Sequence, residues 1–125
     1  MTKAAQTLFA AGTSVPAGTA RGAPVLSQVV DARAAAGAGE MPFRITNGGA
    51  IGAPCTIMFQ VSAVGGSSAA DWFDYFPVSS KDLVSGTVTE GTVPASRPIM
   101  YWRAIAYGNT NNNCTVEAGI QLVTA

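Results

Sequence analysis

Residues 99–123 read IMYWRAIAYGNTNNNCTVEAGIQLV, and this stretch decides the fold. Ile99 to Tyr107 and Cys114 to Val123 are two strands. Between them lies Gly108-Asn109-Thr110-Asn111-Asn112-Asn113, a run of residues that form turns. In the second strand Cys114, Val116, Ala118, Ile120 and Leu122 fall on one face, while Thr115, Glu117 and Gln121 face water. A period of two is the signature of a strand buried on one side.

The same pattern recurs upstream. Met41, Phe43 and Ile45 alternate with Arg44 and Thr46, and Asn47-Gly48-Gly49 ends that run with residues that tolerate positive φ. Cys55, Ile57, Phe59, Val61 and Ala63 alternate with Thr56, Gln60 and Ser62. Pro24 to Asp31 is β-branched and reads as a strand bounded by Gly22 and the Gly37/Gly39 pair. Ala32 to Ala36 is long enough for one helical turn only. A short strand is expected around Gly86-Thr87-Val88-Thr89. No long segment repeats at 3.6 residues. Seven or eight short strands punctuated by Gly, Pro and Asn predict an all-β protein, a single antiparallel β-sandwich of immunoglobulin-like or jelly-roll-like kind. Residues 1–23, rich in Ala, Gly and Thr, read as an extended N-terminal arm, with a short edge strand at Thr7-Leu8-Phe9-Ala10. The sandwich is expected over residues 24–125. On this division, deleting residues 1–20 leaves a folded sandwich.

Composition narrows the functions. The chain has 125 residues, of which 48% are hydrophobic and only 11% charged, against the roughly 25% charged usual in soluble domains. So few charges give little colloidal protection, which points to a surface covered in the working state. Seven basic and seven acidic residues cancel, so no net field draws the chain to nucleic acid or to an anionic membrane. Histidine is absent, which removes the commonest general base and metal ligand. Cys55 and Cys114 lack zinc-site spacing and read as small buried thiols, reduced in a cytosolic setting. No segment reads as a signal peptide or a membrane span. Neither a cofactor nor a metal is expected, and the protein is not expected to be an enzyme.

One segment concentrates chemistry: Asp71-Trp72-Phe73-Asp74-Tyr75-Phe76, closed by Pro77. On a strand the spacing of Asp71 and Asp74 sends them to opposite faces, which does not suit a pair of glycosidase carboxylates. Alternation places Trp72, Asp74 and Phe76 on one face and Phe73 and Tyr75 on the other. One set fills the core, and the other is edge packing or a contact for a partner. Trp72 is expected in the core. Leu8, Phe9, Phe73 and Tyr75 are the candidate interface residues. Ser14, Ser79 and Ser80 have no histidine to activate them, and the Gly pairs match no phosphate loop.

The order of several short pieces carries a resemblance. They are Val30-Asp31-Ala32-Arg33, Phe43-Arg44-Ile45-Thr46-Asn47-Gly48, Ala70-Asp71-Trp72, Gly108-Asn109-Thr110 and Thr115-Val116-Glu117-Ala118, spread over about residues 21–123. The chain resembles the capsid decoration (cement) proteins of tailed bacteriophages, small β-sandwich virion proteins. The resemblance implies a structural protein without catalytic residues, made in the host cytoplasm and bound to the outer capsid surface. There it ties subunits of the major capsid protein together, itself as a homodimer or homotrimer. The Ala/Gly-rich arm departs from that pattern. Alternatives are another virion component (tail, neck or fibre base) and a carbohydrate-binding module using the aromatics of residues 72–76.

Overall fold

The structure is a computed structural model that describes residues 2–35, 39–95 and 100–124. Nine strands are found among them: β1 (Thr2–Val15), β2 (Val25–Leu26), β3 (Val30–Asp31), β4 (Gly39–Asn47), β5 (Thr56–Ser62), β6 (Phe73–Ser79), β7 (Val88–Ala95), β8 (Tyr101–Tyr107) and β9 (Cys114–Thr124). A single 3-10 turn, Ala69–Asp71, precedes β6. One sheet has the order β1-β9-β4-β7, and the other β2-β8-β5-β6 with β3 also on β8. All pairings are antiparallel. The protein is an all-β sandwich. The expected turn at Ala32–Ala36 appears as a hydrogen bond from Ala35 N–H to Ala32 O; Ala36, Gly37 and Ile99 lie outside the described residues.

The inner faces follow the alternation in the sequence. Met41, Ile45, Val116, Ala118 and Ile120 of the first sheet pack against Ile57, Phe59, Trp102, Ala104 and Ala106 of the second. β8 and β9 are consecutive, yet they belong to different sheets and do not pair. Residues 108–113 carry the chain across. Gly108 sits at φ +103°, and a Cβ there would come 2.9 Å from the Pro54 carbonyl oxygen, so only glycine fits. The buried Asn109 amide donates to Val15 O and Asn112 O, 3.0 Å each, and so anchors this crossing to the end of β1.

Two expectations about the N-terminal third need correction. Residues 24–31 are not one strand but two short ones. Ser27 N–H donates to Ala104 O at 2.9 Å, while the Ser27 hydroxyl accepts from Ala104 N–H at 2.7 Å. The next residue turns away, and Gln28 N–H donates to Leu8 O. The chain here serves β8 on one side and β1 on the other, closing one flank of the sandwich.

The second correction concerns the arm. Residues 1–23 are not a separate arm, because β1 pairs along most of β9, from Thr2 opposite Thr124 to Val15 opposite Cys114. Irregularities between Thr7 and Phe9, and between Phe9 and Thr13, break its alternation. A bulge turns two adjacent side chains toward the same side. Leu8 and Phe9 are accordingly both core residues, 1% and 2% exposed. Neither is available as an interface residue.

Burying Leu8, Phe9 and Val15 contributes about 5–8 kcal/mol together, comparable with the whole stability of a small domain. Deleting residues 1–20 is therefore expected to abolish cooperative folding. Thermal denaturation followed by near-ultraviolet circular dichroism checks this; a truncated protein with a sharp transition would make β1 dispensable.

Candidate interaction surface

The segment around Trp72 is built by local capping and then by a bulge. Ser68 caps the 3-10 turn, its hydroxyl accepting from Ala70 N–H at 3.3 Å. Trp72 leaves the turn in an extended conformation. Its indole Nε1–H donates to Gly66 O at 2.8 Å. β6 then pairs with β5, with Phe59 opposite Phe76 but Gln60 opposite Asp74. Tyr75 is the extra residue.

That bulge parts Asp74 from Phe76, which alternation places together: Asp74 stands opposite Gln60 of the outward row, and Phe76 opposite the core residue Phe59. Phe73 stands at the surface, 68% exposed. Tyr75 turns inward instead. Its ring meets Trp102 edge-on at 4.9 Å, and its hydroxyl donates to Pro94 O of β7 at 2.7 Å. Tyr75 thus ties the edge of one sheet to the edge of the other, and its expected interface role is corrected to an inter-sheet contact. Trp72 is buried, but it is not part of the inter-sheet cluster. It covers the outer face of the second sheet.

On that outer face a polar row crosses three strands. Arg103 of β8 pairs with Gln60 of β5, which pairs with Asp74 of β6. Arg103 Nε–H donates to Gln60 Oε1 at 2.8 Å, and Gln60 Nε2–H donates to Asp74 Oδ1 at 2.9 Å. Arg21 completes the row, donating to Asp74 Oδ2 and, at 2.9 Å, to the Tyr107 hydroxyl. The hydrogen bond from Gln60, followed by those from Arg21, holds the Asp74 carboxyl below the usual carboxylate range. The Arg103 guanidinium lies over the Trp72 ring, 4.5 Å from its centroid. Asp71 lies away from this row against Gly66, where a Cβ would collide with its carboxylate.

Beside the polar row runs an apolar one: Leu26, Ile105, Met58 and Pro77 occupy successive strands in register. Leu26 and Phe76 are exposed. β6 is an edge strand that pairs with β5 alone among the described residues, as Pro77 predicts. Exposed Phe73 and Phe76 stand along this edge strand.

The first sheet carries a groove of about 710 Å³, bordered by Phe9, Pro42, Phe43, Glu117 and Gly119 among others. Pro42 has no N–H, and the pairing of β4 with β9 starts at Phe43. Arg44 at its rim donates to Glu90 at 2.9 Å and lies 3.8 Å from Glu117. These charges largely satisfy one another.

Cys55 and Cys114 are both free thiols, buried. Burial pushes Cys55 up to about 12 and also raises Cys114. Asn47 fixes the loops here, its amide donating to Asp82 O and Val84 O at 3.1 and 3.0 Å. No group of three or more His, Cys, Asp or Glu side chains able to hold a metal occurs among the described residues. The Arg103 row was missed in the sequence, where Arg103 appears only as an interruption in an apolar strand.

No protein-family model matches the chain, and no curated protein sequence does. Solved structures do share its fold. The K1 cleaved adhesin domain of Lys-gingipain from Porphyromonas gingivalis W83 superposes with a TM-score of 0.57 at 11% identity, over 100% of both chains. The K3 cleaved adhesin domain superposes with a TM-score of 0.56 at 13% identity, over 78% of this chain. The matched region spans 62% of that K3 chain. The infectious bursal disease virus Gx strain structure matches at a TM-score of 0.34, too low to carry an argument. At these identities the likeness is one of fold alone.

Two outcomes are expected from this geometry. A thiol reagent at pH 8 should leave Cys55 and Cys114 unmodified in the native protein and label both after denaturation; fast native labelling would place a thiol at the surface. The Asp74 carboxyl, held low in the folded state, adds stability that is present above its unfolded pKa and lost as pH falls through the folded value. Asp74→Asn should therefore change neutral-pH stability by less than about 1 kcal/mol. It should also flatten the decline below about pH 4, as read by urea denaturation across pH. An unchanged acid limb would remove Asp74 from that account.

Proposed function

We propose that this chain is a structural virion protein that decorates a tailed-phage capsid from outside and bridges neighbouring subunits of the major capsid protein. The observation that carries the reading is the pair of phenylalanine rings, Phe73 and Phe76, exposed on β6 at the edge of its sheet among the described residues. A strand edge bearing exposed aromatic rings is a template for adding a strand from another chain. The low charge content supports the same reading, since a covered surface needs few charges.

The mechanism is passive. Backbone pairing along β6 and burial of the two phenylalanine rings hold a neighbour in place. Repetition over a closed shell, or a homodimer or homotrimer of this chain, multiplies weak contacts through effective concentration. Another virion location, in the tail, neck or fibre base, uses the same surface and differs only in the neighbour. A sugar platform built on Trp72 is disfavoured, because Arg103 covers that ring and Gly66 holds its N–H.

Purified protein mixed with undecorated capsids should bind and raise the temperature at which the shells open. Phe73→Asp combined with Phe76→Asp should keep the fold and weaken binding at least about tenfold, as for other central aromatic contacts. Absence of binding, or equal binding by the double variant, would overturn the reading.

A further inference from the structure

On the outer face of the second sheet, Arg103 stands out as a charge with an unfinished set of partners. Its residue is only 7% exposed, yet among the described residues no carboxylate forms an ion pair with it. Its one hydrogen bond among the described residues is from Nε–H to Gln60 Oε1. Nη1 and Nη2 therefore donate to no acceptor among the described residues. Neither belongs to the enclosed polar atoms that lack a partner, so the tips of the fork still reach the surface. Burial alone pulls the Arg103 pKa down from its ordinary value. The only nearby carboxylate in the row, Asp74, lies beyond Gln60 and is already engaged by Arg21.

The fork is also held in place. The Trp72 ring fixes the plane of the guanidinium from one side, and Trp72 is itself tethered through Gly66 O. Gln60 fixes Nε, and its own amide is oriented by Asp74. A guanidinium locked by its Nε edge and one face leaves its two Nη groups presented together. That is the geometry with which arginine takes a carboxylate through two parallel hydrogen bonds. Partial burial strengthens such bonds, because water competes less well there.

We propose that Arg103, positioned by Trp72 and Gln60, is a binding site for a single carboxylate. The ligand class follows from charge and surroundings. Asp74, two hydrogen bonds away, offsets part of the positive field, which favours a monoanion over a phosphate dianion. The adjacent row of Leu26, Ile105 and Met58 favours a carboxylate carried on an apolar stem. An acidic side chain of a protein and a free small carboxylate both have this chemistry.

The test uses the full 15N-labelled protein, following the Arg103 Nε–H and Trp72 Nε1–H resonances during titration. Sodium acetate, sodium phosphate and the capped peptide acetyl-Gly-Glu-Gly-amide are the probes, with sodium chloride at matched ionic strength as the control. Saturating shifts of both resonances with acetate or peptide, absent with chloride, are expected. Tighter binding of the peptide assigns the site to an acidic side chain, and tighter binding of acetate assigns it to a small free carboxylate. Arg103→Met should weaken binding at least about tenfold, and Arg103→Lys, which keeps the charge without the fork, by about fivefold. Should Arg103→Met fail to fold, the Lys variant and the wild-type Nε–H response decide alone. Responses equal to chloride, an unaltered response in either variant, or tighter binding of inorganic phosphate than of acetate would overturn the proposal.

Discussion

The Trp102 indole, wholly buried between the sheets with Tyr75 set edge-on against it, is the contact on which the remaining structure depends. It lies on β8, which pairs with β2, β3 and β5 at once. Side chains on a strand alternate between faces, so placing Trp102 inward commits Arg103 to the outside of the same sheet. A register slip of one residue would bring the guanidinium into the core and expel the indole. The Trp102 position thus fixes both the core and the chemistry of the opposite surface.

The two flanks of the sandwich are closed by different means. On one side Gln28 N–H reaches Leu8 O, linking the segment along β8 to β1. On the other the Tyr75 hydroxyl reaches Pro94 O, linking β6 to β7. Each seam is a small number of hydrogen bonds laid over continuous apolar packing. The seam at Tyr75 lies on β6, the edge strand of its sheet among the described residues, with Phe73 and Phe76 exposed on it. The second sheet consequently offers two kinds of surface side by side: an apolar strand edge, and a polar row ending in a fixed guanidinium.

Similarity of fold to the gingipain adhesin domains extends over all or most of this chain at 11–13% identity. A sandwich supports many functions, and what distinguishes one from another is the surface placed on it. Here the surface features are Phe73, Phe76, Arg103 and Trp72. The paired charges of Arg44, Glu90 and Glu117 on the first sheet form a quieter, mutually satisfied face.

Much of the fold was legible in the sequence, because burial with a period of two is local information. Met41, Phe43 and Ile45, and Cys114 to Leu122, faced inward as their spacing implied. Pro77 placed β6 at an edge. The sequence by itself therefore determined an all-β sandwich, most of its inner face and its lack of histidine chemistry. Only the tertiary structure decided where alternation fails. Bulges in β1 and β6 turned Leu8 and Phe9 together into the core and parted Asp74 from Phe76. A bulge is defined by the strand it pairs against, and that partner lies far along the chain: β9 for β1, β5 for β6. The row from Arg103 through Gln60 to Asp74 has the same origin. Its members become neighbours only when three strands align, which no local pattern records.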